Sequence, residues 1–100
     1  MSEKDGVKEG TFAGLKDVEY QLDLADHYMR RSITITGRSS GVIKVWARLY
    51  LNNTFEEVVN GRIDLSKNRT IAISGQQINA IRFTTDSDGA FTAKVIQYQE

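Results

Sequence analysis

Cysteine and proline are both absent from this 100-residue chain, and histidine occurs once. Without cysteine there is no disulfide framework and no thiolate metal site, and a lone histidine does not make a typical zinc centre. The same absence suits a reducing compartment or a particle assembled inside a cell. Charge of one sign is missing too: 13 Lys and Arg balance 13 Asp and Glu, for a formal net charge of zero. A protein held to nucleic acid through phosphates carries a basic excess, so nucleic acid is not an expected partner. The zero balance also removes one barrier to self-association. No apolar run approaches the roughly 18 residues of a membrane span. The first residues, Met1-Ser2-Glu3-Lys4-Asp5-Gly6, are charged and lack the apolar stretch of a signal peptide. The expectation is a chain with no membrane association and no signal-directed secretion.

What is present is strand periodicity. A chain of this length is one domain with room for a single modest core. Residues 1–16 stand apart: Gly6, Gly10 and Gly14 punctuate a charged stretch. Glycine interrupts helix and strand alike, so this reads as a flexible N-terminal arm, with Val7, Phe12 and Leu15 as anchors. From Asp17 to Leu24 polar and apolar residues alternate without a break, which a helix cannot accommodate on one face. Further strands are expected over 32–36, 42–51, 54–59, 62–65, 70–74, 78–85 and 90–99. The turns between them lie at Arg38-Ser39-Ser40-Gly41, Asn60-Gly61, Ser66-Lys67-Asn68-Arg69 and Asp86-Ser87-Asp88-Gly89. About seven to eight strands at this spacing make an all-β, two-sheet antiparallel sandwich, jelly-roll-like or Ig-like, over residues 17–100.

Catalytic chemistry has little to stand on. His27 has Asp23 and Asp26 nearby, but no G-x-S-x-G motif supplies a serine nucleophile. Glu56 and Glu57 are neighbours on one strand and point to opposite faces. Asp86-Ser87-Asp88-Gly89 resembles the start of a calcium loop without the glutamate that completes one, and it is also what a tight hairpin requires. There is no phosphate-binding glycine motif. The expectation is a non-enzymatic protein with no catalytic residues, no metal and no cofactor.

The informative feature is apolar surface where a one-sided strand should be polar. In 42–51, Ile43, Val45, Ala47, Leu49 and Leu51 form one apolar face. The other carries Val42, Trp46 and Tyr50 interleaved with Lys44 and Arg48. The last strand places Ile96 and Tyr98 opposite its inward residues. Aromatic residues with arginine are typical of protein interfaces, so Phe12, Leu15, Val42, Trp46, Arg48, Tyr50, Ile96 and Tyr98 are interface candidates. Two alternatives stand beside this reading. Trp46 belongs to the core if the opposite face is buried, and an aromatic on a β face also suits sugar stacking.

The strings Ser32-Ile33-Thr34-Ile35-Thr36-Gly37, Gly41-Val42-Ile43-Lys44-Val45-Trp46, Ile78-Asn79-Ala80-Ile81-Arg82-Phe83 and Ala90-Phe91-Thr92-Ala93-Lys94-Val95 resemble those of small virion-associated proteins of tailed bacteriophages. The resemblance implies a capsid decoration (cement) protein, or a small tail or neck component. Its partners would be the major capsid protein or other virion subunits, with a homo-oligomer possible, and its location a virion assembled in the host cytoplasm. A carbohydrate- or receptor-binding module is the alternative, with a glycan as ligand.

Overall fold

The computed structural model describes residues 6–24, 28, 30–49, 54–74 and 78–98. Eight strands form: β1 (Val7–Phe12), β2 (Tyr20–Asp23), β3 (Arg30–Thr36), β4 (Val42–Leu49), β5 (Glu56–Asp64), β6 (Thr70–Ser74), β7 (Ile78–Thr85) and β8 (Phe91–Tyr98). They make two four-stranded antiparallel sheets, ordered β1-β8-β3-β6 and β2-β7-β4-β5. The pairs β1/β8, β2/β7, β3/β6 and β4/β5 are those of one long hairpin folded over on itself. That is the jelly-roll arrangement, which decides between the two sandwich types that the strand count allowed.

Period-two alternation puts one set of side chains between the sheets. Ile33 and Ile35, Ile43 and Val45, Ile81 and Phe83, and Phe91, Ala93 and Val95 are almost wholly buried there. Each large member of this set stabilises the fold by roughly 1.5–3 kcal/mol. At one end the core is aromatic. The Phe12 ring lies 5.4 Å from Tyr20, 5.9 Å from Phe83 and 5.4 Å from Phe91. At the other end it is polar. Arg31 is 1% exposed, and its guanidinium donates from Nε to Gln97 Oε1 at 2.9 Å and from Nη2 to the Ile78 carbonyl at 2.8 Å. Burying that charge is tolerable because fixed acceptors replace its water.

The flexible-arm expectation is corrected from Val7 onward. Residues 7–12 pair with β8 in register from Val7↔Ile96 to Phe12↔Phe91, so the sandwich begins before residue 17. The glycines are structural. A Cβ on Gly10 would stand 2.7 Å from Phe12 Cζ, so the missing side chain is where the Phe12 ring folds back. Gly14 has φ of 67°, and a Cβ there would stand 1.9 Å from the Gly89 carbonyl oxygen. That close approach lets the Gly89 amide donate to the Gly14 carbonyl at 3.0 Å. Residues 1–5 lie outside the described residues.

Asn60-Gly61 is likewise not a turn. It sits inside β5, where β4 advances two residues (Lys44 to Trp46) against five on β5 (Arg62 to Glu57, 62 − 57 = 5). Asn60 takes φ of 61°, and the left-handed conformation that would close a hairpin here makes a bulge instead. The expected strands 54–59 and 62–65 are therefore one.

Arg38 ties two loops together. Its side chain is only 7% exposed, and it donates to the Ser40 carbonyl, the Gly89 carbonyl and Ser87 Oγ. Asp86 Oδ1 accepts from the Val42 amide at 3.1 Å and Asp88 Oδ1 from the Lys16 amide at 2.8 Å. Each carboxylate of the Asp86-Ser87-Asp88-Gly89 run thus caps a different strand or loop, which is the hairpin role. The Val42 amide is the main reason that the Asp86 carboxyl is held below its ordinary value of 3.8.

Two predictions follow from these contacts. Phe12→Ala removes the ring that closes the aromatic end of the core and is expected to cost about 3 kcal/mol, read as a lower urea midpoint. An unchanged midpoint would show β1 to be dispensable. Asp86 has a folded pKa below its unfolded one, so its stabilisation is complete above that range and disappears as pH falls through the folded value. Asp86→Asn should therefore be less stable than the natural chain at about pH 7, with the gap closing toward about pH 2. A gap that does not change with pH would remove the carboxylate from the account.

Candidate functional site

The register of β4 settles which of its faces is buried. Ile43 and Val45 point inward at 0% exposure. Val42, Lys44, Trp46 and Arg48 therefore project from the outer face of the β2-β7-β4-β5 sheet, each only half-buried. Trp46 is a surface residue rather than a core one. Across β7 it pairs with Arg82, and across β5 with Glu57.

Around Trp46 the outer face forms a cleft of about 400 Å³ lined by Glu19, Trp46, Arg48, Thr54, Phe55 and Arg82. Two cross-strand hydrogen bonds fix its floor. The Trp46 indole Nε1 donates to Thr84 Oγ1 at 3.2 Å, and Arg48 Nε donates to Asn79 Oδ1 at 3.0 Å. Phe55, just before β5, lies against both arginines. The Arg82 guanidinium carbon is 3.9 Å from the ring centroid and that of Arg48 is 5.2 Å. A cation over a ring face is attracted by its quadrupole, so Phe55 holds both guanidinium groups in place.

The two arginines differ in what else they touch. Arg82 meets Glu19 Oε1 at 3.2 Å and reaches Gln21 Oε1 at 3.4 Å. Its charge is thus balanced within the sheet. The Arg48 contacts are the Nε bond to Asn79 and the face of Phe55. Its terminal nitrogens make no hydrogen bond or ion pair with any described residue. The cleft therefore presents one oriented guanidinium fork beside one indole ring.

The outer face of the other sheet is different. Thr11 and Thr92 hydroxyls meet at 3.0 Å, as do those of Thr34 and Thr70. Glu9 stands opposite Lys94, Val7 opposite Ile96, and Ile96 opposite Ser32. This face mixes short hydroxyl side chains with Glu9, Lys94 and Ile96, and at one end Tyr98, 44% exposed, stands opposite Arg30.

Of the expected interface residues, Trp46 and Arg48 share the cleft. Val42 lies further along β4, and its amide is held by Asp86. Ile96 and Tyr98 lie on the opposite sheet. Leu15 is 49% exposed in the β1–β2 loop, where its amide donates to the Tyr20 hydroxyl. Phe12 is corrected to a core residue, because it faces inward and packs in the aromatic cluster. Tyr50 and His27 lie outside the described residues. Sequence reasoning missed Glu19, Phe55 and Arg82. Arg82 was visible as the polar member of an alternating strand, but no spacing signal joins it to a phenylalanine 27 positions earlier (82 − 55 = 27). Among the described residues no three His, Cys, Asp or Glu side chains group as metal ligands.

No family model matches the chain, and no curated protein matches it in sequence. Solved structures do share its fold. The SPBc2 prophage-derived protein YomS is 15% identical with a TM-score of 0.54, covering 91% of this chain and 93% of its own. PliG of Aeromonas hydrophila, a periplasmic inhibitor of g-type lysozyme, is 16% identical with a TM-score of 0.57, covering 91% of this chain and 83% of its own. The family 29 carbohydrate-binding module CBM29-2 is 10% identical with a TM-score of 0.54, covering 95% of this chain and 83% of its own. The chain has the jelly-roll sandwich fold that these otherwise dissimilar proteins share.

Proposed function

We propose that this chain is a non-enzymatic structural subunit of a phage particle that binds and stabilises the capsid lattice as a decoration protein. The supporting observation is its likeness to the prophage-derived YomS in extent as well as fold, since the match covers 91% of one chain and 93% of the other. The outer face of β1, β8, β3 and β6 suits a flat subunit contact. Its Glu9 and Lys94 face each other, four of its threonines bond in two pairs, and Ile96 and Tyr98 supply apolar area. Burial of such a face needs few new polar bonds, which lowers the desolvation cost of association.

A second reading, a carbohydrate-binding module, is favoured by one specific observation: the cleft that sets Trp46 and Phe55 among Arg48, Arg82 and Glu19.

The first reading is tested by mass spectrometry of density-gradient-purified particles from cells that carry the gene. The chain is expected in filled heads at a fixed ratio to the major capsid protein. Recovery only with tails would move it to a tail or neck position, and absence from particles would remove the structural reading. Tyr98→Ala, at an exposed position, should leave the fold intact and lower the affinity for heads by roughly tenfold or more.

A further inference from the structure

We infer that the Trp46 cleft is a binding site for a sugar that carries a carboxylate, read by the Arg48 guanidinium. The inference rests on the carbohydrate reading and goes beyond it by naming the ligand charge and the atoms that recognise it. Three features carry it. The first is charge. Glu19 balances Arg82 at 3.2 Å, so among the described residues the uncompensated cation of the cleft is Arg48, and the site attracts a negative charge. The second is preorganisation. The Asn79 bond and the Phe55 ring fix the Arg48 plane and leave both terminal nitrogens directed to no described residue. A planar fork of two N–H donors matches a carboxylate through two parallel hydrogen bonds. The third is the platform. With its Nε1 committed to Thr84, Trp46 is held in orientation and offers ring surface to the C–H face of a sugar.

The rest of the cleft narrows the class. Glu19 and Thr54 supply acceptors for hydroxyl groups, as a saccharide requires. The Glu19 carboxylate also opposes a polyanion, and the chain has no basic excess to hold nucleic acid. A volume of about 400 Å³ falls in the range of small-ligand sites, enough for one or two rings of a longer glycan.

Trp46 is the only tryptophan, so its emission reports the site directly. The full chain is titrated at constant ionic strength with trigalacturonate and sialyllactose. The neutral controls are galactotriose and lactose, and a triglutamate peptide tests a protein carboxylate. At least one acidic saccharide is expected to give a saturating change in emission, with its neutral counterpart and the peptide roughly tenfold weaker or more. Arg48→Gln should abolish the preference for the acidic sugar while the urea midpoint is retained. Arg48→Lys keeps the charge without the fork and should also bind less tightly than the natural chain, with its urea midpoint retained. Lys67→Gln, in the β5–β6 turn, should leave sugar binding unchanged.

Equal response to acidic and neutral sugars would overturn the inference and leave the carbohydrate reading standing. Equal response to the peptide would overturn it in favour of a protein partner. No response to any sugar up to about 10 mM, the weak end of single-site binding, would overturn both the inference and the carbohydrate reading.

Discussion

The pairing of β4 with β7 sets both the inside and the outside of this protein. With Val45 opposite Phe83 and Trp46 opposite Arg82, the first of these pairs enters the core and the second builds the outer face. A slip of β4 by one residue against β7 would bring Trp46 between the sheets and turn Ile43 and Val45 to water. The burial that holds the domain together therefore also holds the cleft in register. The Trp46–Thr84 and Arg48–Asn79 hydrogen bonds cross the same strand pair.

The two ends of the core solve different problems. At the aromatic end, Phe12, Tyr20, Phe83 and Phe91 bring together three strand ends and the edge strand β1. Their rings pack at 5.4–6.3 Å in tilted and edge-on geometries that favour aromatic pairs. At the other end Arg31 enters a space where a hydrocarbon would be expected and is met by Gln97 and a backbone carbonyl. Gln97 is its cross-strand partner on β8. A polar pair at that position ties the β3–β8 register to one arrangement, because a shifted ladder would leave a buried guanidinium without its acceptors.

Most of the sandwich was legible because alternation is a local property. Ile33/Ile35, Ile43/Val45, Ile71/Ile73 and Phe91/Ala93/Val95 mark their strands without knowledge of any neighbour. What was not legible depends on contacts between distant segments. Gly10 reads as a strand breaker until the Phe12 ring is seen to occupy its missing side chain. Gly14 reads as a hinge until the Gly89 backbone is seen against it. Asn60-Gly61 carries the chemistry of a hairpin turn, but its positive φ serves a bulge, because β5 continues pairing with β4 on both sides of it. The cleft was half visible. Trp46 and Arg48 follow from the alternation of one strand, whereas Phe55, Glu19 and Arg82 reach them from three other segments through side-chain packing that no single-segment pattern records.

The two outer faces divide the surface chemistry of the domain. On the β1-β8-β3-β6 sheet, Glu9 stands opposite Lys94 and two pairs of threonine hydroxyls bond within the sheet, so part of the polarity of that face is already satisfied. On the β2-β7-β4-β5 sheet, the Arg82 charge is spent on Glu19 and that of Arg48 is not. A net charge of zero over the whole chain thus coexists with a local positive charge at the cleft. Long-range steering of a charged partner would be weak in such a molecule. Recognition there depends on short-range geometry, in which a stacked, singly anchored guanidinium discriminates far better than a mobile surface lysine. One face can therefore lie against a flat neighbour while the other remains open to a small anionic ligand, and neither arrangement requires the sandwich between them to move.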